Sequence, residues 1–175
     1  MAIERSKRRM APGRLAAIAR NLLEASPLCA IATVAPGGQA YLNTAYFAWS
    51  PGFELVWLSE PHAKHSCNIR ANNSVAVAVY DSGQNWGGRD RGIQLSGTAR
   101  ELDRATADDA ERLYAARFPD YRAEELAAYR FYVLRSRRLK VFDEGELGVG
   151  VFVTARTMRD RRLVWERTDV YRSGV

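Results

Sequence analysis

Ser59, Lys64 and His65 stand close together in the run Trp57-Leu58-Ser59-Glu60-Pro61-His62-Ala63-Lys64-His65. All three are residue types that hold anions. The apolar residues before Ser59 read as a strand. Pro61 suits the first turn of a helix, where its missing N–H costs nothing. The segment therefore predicts a strand ending at Ser59 and a helix beginning just after Pro61. Unpaired N–H groups and the positive dipole end at such a helix start attract phosphate. Ser59 adds a hydroxyl, Lys64 a fixed charge, and His65 a charge that switches near neutral pH. Singly, Lys64 reads as a solvated lysine and His65 as a surface or cap residue. Their combination predicts a phosphate-bearing ligand.

Other candidates are more dispersed. Trp86 lies on a Gly-rich loop, residues 81–92, with Gly87 and Gly88 after it. There it either stacks on a flat ring and acts as a lid or anchors the loop by its own burial. Gln94 sits on a strand, where it either reaches a ligand ring or a neighbouring subunit, or points outward. Tyr46 and Trp57 read as core. No Ser-His-Asp order, H-E-x-x-H helix or phosphate-binding Walker loop occurs. The carboxylates Asp108-Asp109 and Glu124-Glu125 are adjacent on helices, so each pair points to different faces and reads as solvated surface. Cys29 and Cys67 form neither a C-x-x-C metal motif nor a disulfide framework, and both are expected as buried free thiols in a reducing cytosol.

The elements that must position these residues are mostly short strands. A helix is predicted over 14–24, with Leu15, Ile18, Leu22 and Leu23 at helical spacing, and Ser26-Pro27 stops that helix. Strands are predicted over 28–34, 40–49 and 53–59, joined by Pro36-Gly37-Gly38 and Ser50-Pro51-Gly52 as a meander. A short helix carries His65, Cys67, Asn68, Ile69 and Arg70, and a Val/Ala strand follows over 74–80. Further strands are expected over 92–100, 130–134, 138–142, 150–154 and 162–165. A helix over 106–117, with Thr106 as its N-cap, and a second helix over 123–128 complete the pattern. Six or more short strands with few helices predict a closed, mainly β barrel, with helix 106–117 over one mouth or beside it.

Composition sets the class. The chain has 175 residues, 47% apolar and 10% aromatic, which suits one folded domain. Residues 1–12 are expected to be a mobile basic arm, 13–155 the folded domain and 156–175 an Arg-rich extension. The net charge of +6 favours acidic partners. Its excess at the two ends reads first as solvated termini. No nucleic-acid motif accompanies it, so nucleic acid is not expected as a partner. No long apolar run spans a membrane and no secretory signal is visible, which predicts a cytoplasmic protein.

The stretch from Leu28 to Gly97 resembles the pyridoxamine 5′-phosphate oxidase-like, FMN-binding split-barrel family. The shared pattern is a strand, a Ser-Arg-Lys-like link, a small helix with Asn-Leu, and Asn-Pro before a Val-rich strand. Here it stands as Trp57-Leu58-Ser59, then Lys64-His65, Asn68-Ile69 and Asn72-Asn73-Ser74-Val75-Ala76-Val77-Ala78-Val79. Gly92-Ile93-Gln94-Leu95-Ser96-Gly97 and Val141-Phe142-Asp143 extend the likeness, which covers most of residues 15–155. It implies a six-stranded split β-barrel with flanking helices. It implies FMN with its phosphate at Ser59, Lys64 and His65, and its ring edge against strand residues including Trp57 and Leu58. Asn43, Thr44, Asn68, Trp86 and Gln94 complete the implied cofactor set. It further implies a homodimer with the site at the subunit interface, and two-electron transfer to or from a small organic substrate or oxygen.

Two departures reduce positive charge at that site. The family's phosphate-binding arginine on the second strand is replaced by Asn43-Thr44, and His65 stands where the link ends in lysine. The resemblance then implies weaker FMN binding, and leaves the deazaflavin F420 or haem as alternative ligands on the same fold, including in a non-catalytic binding protein. The substrate residues of true pyridoxamine phosphate oxidases are not recognisable, so that specific activity is not expected.

Overall fold

A computed structural model, which describes residues 2–172, has nine strands and three α-helices among those residues. The strands are β1 (Ala2–Ser6), β2 (Leu28–Val34), β3 (Ala40–Trp49), β4 (Glu54–Ser59), β5 (Ser74–Tyr80), β6 (Arg91–Glu101), β7 (Arg130–Asp143), β8 (Val151–Thr157) and β9 (Leu163–Arg172). The helices are α1 (Pro12–Glu24), α2 (Lys64–Ala71) and α3 (Asp108–Arg117). The hydrogen-bonded order is β1-β9-β8-β7-β4-β3-β2-β5-β6, and β7 also pairs with β6. Strands β2 to β7 therefore close on themselves, giving the expected split barrel with six strands in the ring and three outside it.

Two compact units share these strands. A central unit comprises Pro27–Val77 and Ser96–Ser136, and a terminal unit comprises Met1–Ser26, Ala78–Leu95 and Arg137–Val175. In the central unit β2, β3 and β4 form the predicted meander, with Ile31 opposite Asn43 and Ala48 opposite Val56. Period-two alternation buries Cys29, Ile31 and Thr33 from β2 and Leu55, Trp57 and Ser59 from β4. The other face of β4 takes Val56 and Leu58 under α3. That helix buries Ala110 and Tyr114 on Ala48, Val56, Phe131 and Val133. It packs beside the strands, the second of the two predicted placements.

Three local predictions change in this unit. Thr106 is not an N-cap: it ends a 3-10 turn, Arg104–Thr106, and its N–H is accepted by Asp103 Oδ1 at 2.9 Å. The helix expected over 123–128 is a single 3-10 turn, Glu124–Leu126. The strands expected over 130–134 and 138–142 are one strand, β7, which pairs with β4 as far as Arg135 and with β8 from Arg138. The first half of β7 pairs with β4, Ser59 lying opposite Arg130.

In the terminal unit α1 buries the predicted Leu15, Ile18, Leu22 and Leu23. The second half of β7 pairs with β8, and β8 pairs with β9 through a register shift at Thr154/Ala155. Residues 2–6, expected within a mobile arm, are instead the edge strand β1, paired with β9 from Ala2↔Arg172 to Ser6↔Thr168. The unpaired backbone groups of β9 are what order this segment. No helix among the described residues is long and apolar enough to cross a membrane.

Candidate functional site

The predicted strand-to-helix link is present. β4 ends at Ser59, and a turn closed by Ala63 N–H on the Glu60 carbonyl (3.1 Å) leads into α2. The helix starts at Lys64, three residues after the proline that was expected to open it. Its N-cap is Ala63, which has no side chain to accept from the first turn, and no acidic residue lies in that turn. Among the described residues, the N–H groups of Lys64, His65 and Ser66 have no acceptor. The exposed Lys64 enters no ion pair among the described residues. An uncapped start with one lysine is suited to an anion.

Ser59 and His65 do not stand as two separate ligand groups. Ser59 Oγ lies 2.6 Å from His65 Nε2, and the imidazole tautomer decides which one donates. Ser66 Oγ donates to the Glu60 carbonyl at 2.9 Å and lies 3.3 Å from Ser59 Oγ. Burial lowers the His65 pKa from its ordinary 6.5, so the ring is neutral at neutral pH. Of the three anion-binding residues read from the sequence, Lys64 alone then brings a positive charge.

A polar cluster lies in the same unit. Arg70 pairs with Glu101 at 2.9 Å and donates to the Pro61 carbonyl at 2.6 Å. Tyr132 donates to Glu101 Oε2 at 3.0 Å, and burial together with that carboxylate raises its pKa. Tyr132 stacks on the fully buried Trp57, with ring centroids 5.8 Å apart and planes inclined by 17°. Asn68, also fully buried, donates from Nδ2 to Thr33 Oγ1 at 3.0 Å. Asn68 Oδ1 and Trp57 Nε1 are buried and have no hydrogen-bond partner among the described residues. Sequence reasoning missed Arg70, Glu101 and Tyr132, because their separations in the chain follow no motif.

Trp57, Leu58, Ser59, Lys64, His65 and Asn68 thus lie along β4 and α2. Leu58 also lines a cavity of about 470 Å³ with Leu102, Tyr121, Leu126 and Phe131. Asn43 and Thr44 lie on β3 of the same unit, opposite Ile31 and Ala30. Asn43 is half-buried with an unpartnered Oδ1, and Thr44 is exposed. Trp86 and Gln94 belong to the terminal unit and are both exposed. Trp86 is 104% exposed, which removes the reading of a buried loop anchor. Two core expectations are also corrected. Tyr46 is 55% exposed, since it lies on the outward face of β3. Cys67 is exposed at α2, while Cys29 is buried and its thiol is pushed up to about 12 by burial. No cluster of His, Cys, Asp or Glu among the described residues could hold a metal ion.

The profile of the pyridoxamine 5′-phosphate oxidase family matches residues 15–142. The chain belongs to that family. No curated protein matches it. Among solved structures, this family member resembles a Nostoc punctiforme pyridoxamine 5′-phosphate oxidase-related, FMN-binding protein. The TM-score is 0.62 at 13% identity, over 90% of this chain and 97% of that one. An F420 reductase gives 0.54 at 24% identity, over 69% and 94%. A haem-binding protein of Mycobacterium smegmatis gives 0.59 at 13%, over 96% and 91%. A protein of Agrobacterium tumefaciens gives 0.64 at 22%; the match takes in 78% of this chain but only 61% of that longer one. At these identities the likeness is one of fold, and the fold is one on which FMN-binding, F420-reducing and haem-binding proteins are built.

Proposed function

We propose that this family member is an FMN-dependent oxidoreductase, working as a cytoplasmic homodimer that moves two electrons to or from a small organic substrate or oxygen. The observation that carries this reading is the uncapped start of α2 beside Lys64. Its free N–H groups and unpaired ammonium fit a phosphate monoester, and no carboxylate in the first helical turn opposes it. FMN, when bound, supplies the two-electron chemistry. The chain's own part is to hold and orient. Ser59, His65 and Ser66 tie the end of β4 to the start of α2, so the N–H groups keep their direction. Trp57 stacked on Tyr132 stiffens the strand whose backbone would meet the ring edge. Asn43 and Thr44 offer neutral groups where an arginine is absent. Leu28, Leu42 and Tyr46, exposed on the outward face of paired strands β2 and β3, are the surface we assign to a second copy.

The test is an absorption spectrum of the purified protein, followed by titration of FMN with its fluorescence as readout. Saturable quenching, weakened about tenfold in Lys64→Ala, supports the reading. A Soret band would make this a haem protein, and binding of F420 with no response to FMN would make it a deazaflavin protein. A colourless chain that ignores all three removes the cofactor assignment.

A further inference from the structure

The terminal unit carries a second arrangement directed at anions. From it we infer that the pocket between β1 and β9 is a binding site for a nucleotide, a flat heterocycle carrying phosphate. The pocket is lined by Arg5, Ser6, Lys7, Trp165, Glu166 and Arg167 and encloses about 430 Å³, within the usual range for small-molecule sites. Both of its walls lie outside the stretch 15–142 that matches the family.

Its charge is uncompensated. Among the described residues, Arg5 and Lys7 pair with no carboxylate. Two of the nearby acids, Glu166 and Asp169, are already engaged. Glu166 accepts from Arg138 at 3.0 Å and lies 3.7 Å from Arg156. The Arg138 hydrogen bond holds its pKa below the ordinary value. Asp169 is paired with Arg167 at 2.8 Å. Arg5 and Lys7 therefore face the pocket without local neutralisation, as a phosphate requires.

Its aromatic wall is fixed in orientation. Trp165 donates from Nε1 to Thr168 Oγ1 at 2.9 Å, and that hydroxyl donates to the Arg8 carbonyl at 2.9 Å. The guanidinium of the exposed Arg9 lies 5.5 Å from the centre of the indole ring. One flat cation thus already lies against the indole. A register shift in the β8–β9 pairing sets Trp165 opposite Ala155 and Arg167 opposite Thr154, leaving Glu166 as the extra residue. Such bulges re-aim side chains. A single indole beside two cations matches one base and its phosphate, whereas tracking a strand requires a row of rings.

Isothermal titration of the full-length protein with ADP tests the assignment, with inorganic phosphate and a twelve-nucleotide oligo-dT as further probes. The expectation is saturable ADP binding. It weakens about tenfold in Arg5→Ala/Lys7→Ala and about as much in Trp165→Leu. Trp165→Phe retains most of it, and Lys64→Ala leaves it unchanged. Thermal unfolding of the same variants checks that the exposed changes leave the fold intact. The inference is overturned by any of four results. They are no saturation at about 1 mM ADP, unchanged affinity in the Arg5/Lys7 variant, equal affinity for inorganic phosphate, or tight oligo-dT binding with a steep salt dependence and no competition by ADP.

Discussion

The central unit has nine Lys/Arg against ten Asp/Glu, whereas the terminal unit has seventeen against ten, so the whole +6 excess falls in the terminal one. Buried polar side chains divide the other way. Among the described residues, Thr33, Ser50, Ser59, Ser66, Asn68 and Ser136 are buried in the central unit, and only Thr154, Thr168 and Asp169 in the terminal one. A basic pI therefore does not locate the family's site. At the start of α2, attraction rests on oriented N–H groups and one lysine, which act within the first turn of a helix. Between β1 and β9 it rests on net charge, which reaches further and is screened over about 8–10 Å at ordinary ionic strength. Raising salt should hence weaken ADP binding more steeply than FMN binding, and parallel salt slopes would erase the distinction.

Stability should separate the units too. The largest effect is expected at Trp57, fully buried and stacked on Tyr132. Trp57→Ala should destabilise by about 3–5 kcal/mol in urea unfolding. Next comes Gly92→Ala in the terminal unit. A Cβ there would stand 2.5 Å from Phe142 Cζ and 3.1 Å from the Val79 carbonyl oxygen. Part of that clash is with backbone, so a loss of about 1–3 kcal/mol is expected. If Gly92→Ala proved the more damaging, the aromatic stack would not be the main anchor of the fold.

A smaller effect is expected at Ser136, whose hydroxyl donates to the Phe53 carbonyl at 2.8 Å. Phe53 has φ of 62°, a left-handed conformation that a bulky residue rarely adopts. The buried phenyl ring and the Ser136 bond together hold it there. Ser136→Ala should cost about 1 kcal/mol in the same unfolding assay, and no change would mean that ring burial and the bond from the Phe53 N–H to the Ser50 carbonyl (2.9 Å) hold the turn without it.

That turn also marks where reading the sequence ran out. Ser50-Pro51-Gly52 announced a reversal, but the strained residue is the phenylalanine after the glycine, and the serine that supports it lies far along the chain. Local patterns were legible: the spacing of Leu15, Ile18, Leu22 and Leu23, the short apolar run of β2, and the Val/Ala run of β5. What failed depended on distant partners. β1 is a strand only because β9 offers its edge. β7 continues through Arg135-Ser136-Arg137-Arg138 because β4 pairs with it up to Arg135 and β8 takes over at Arg138, although those residues alone resemble a loop. At the site, the residue types around Ser59 were visible, while the Ser59–His65 bond and the Arg70–Glu101–Tyr132 cluster are products of folding.

The smallest effect concerns His65, and its sign follows from burial. The folded state holds the ring neutral, with a pKa below the ordinary 6.5, while the unfolded chain takes up a proton near that value. The unfolded state then binds more protons as pH falls, so stability should rise with pH through this window. His65's contribution is complete above about pH 6.5 and declines below it, until the folded ring also protonates. His65→Gln keeps a polar partner for Ser59 but cannot titrate. The difference in unfolding free energy between wild type and this variant should be flat above about pH 6.5 and shift against the wild type below it. A constant difference down to about pH 5 would mean that Ser59 and the start of α2 tolerate a charged imidazole, and that His65 is free to lend its charge to a phosphate after all.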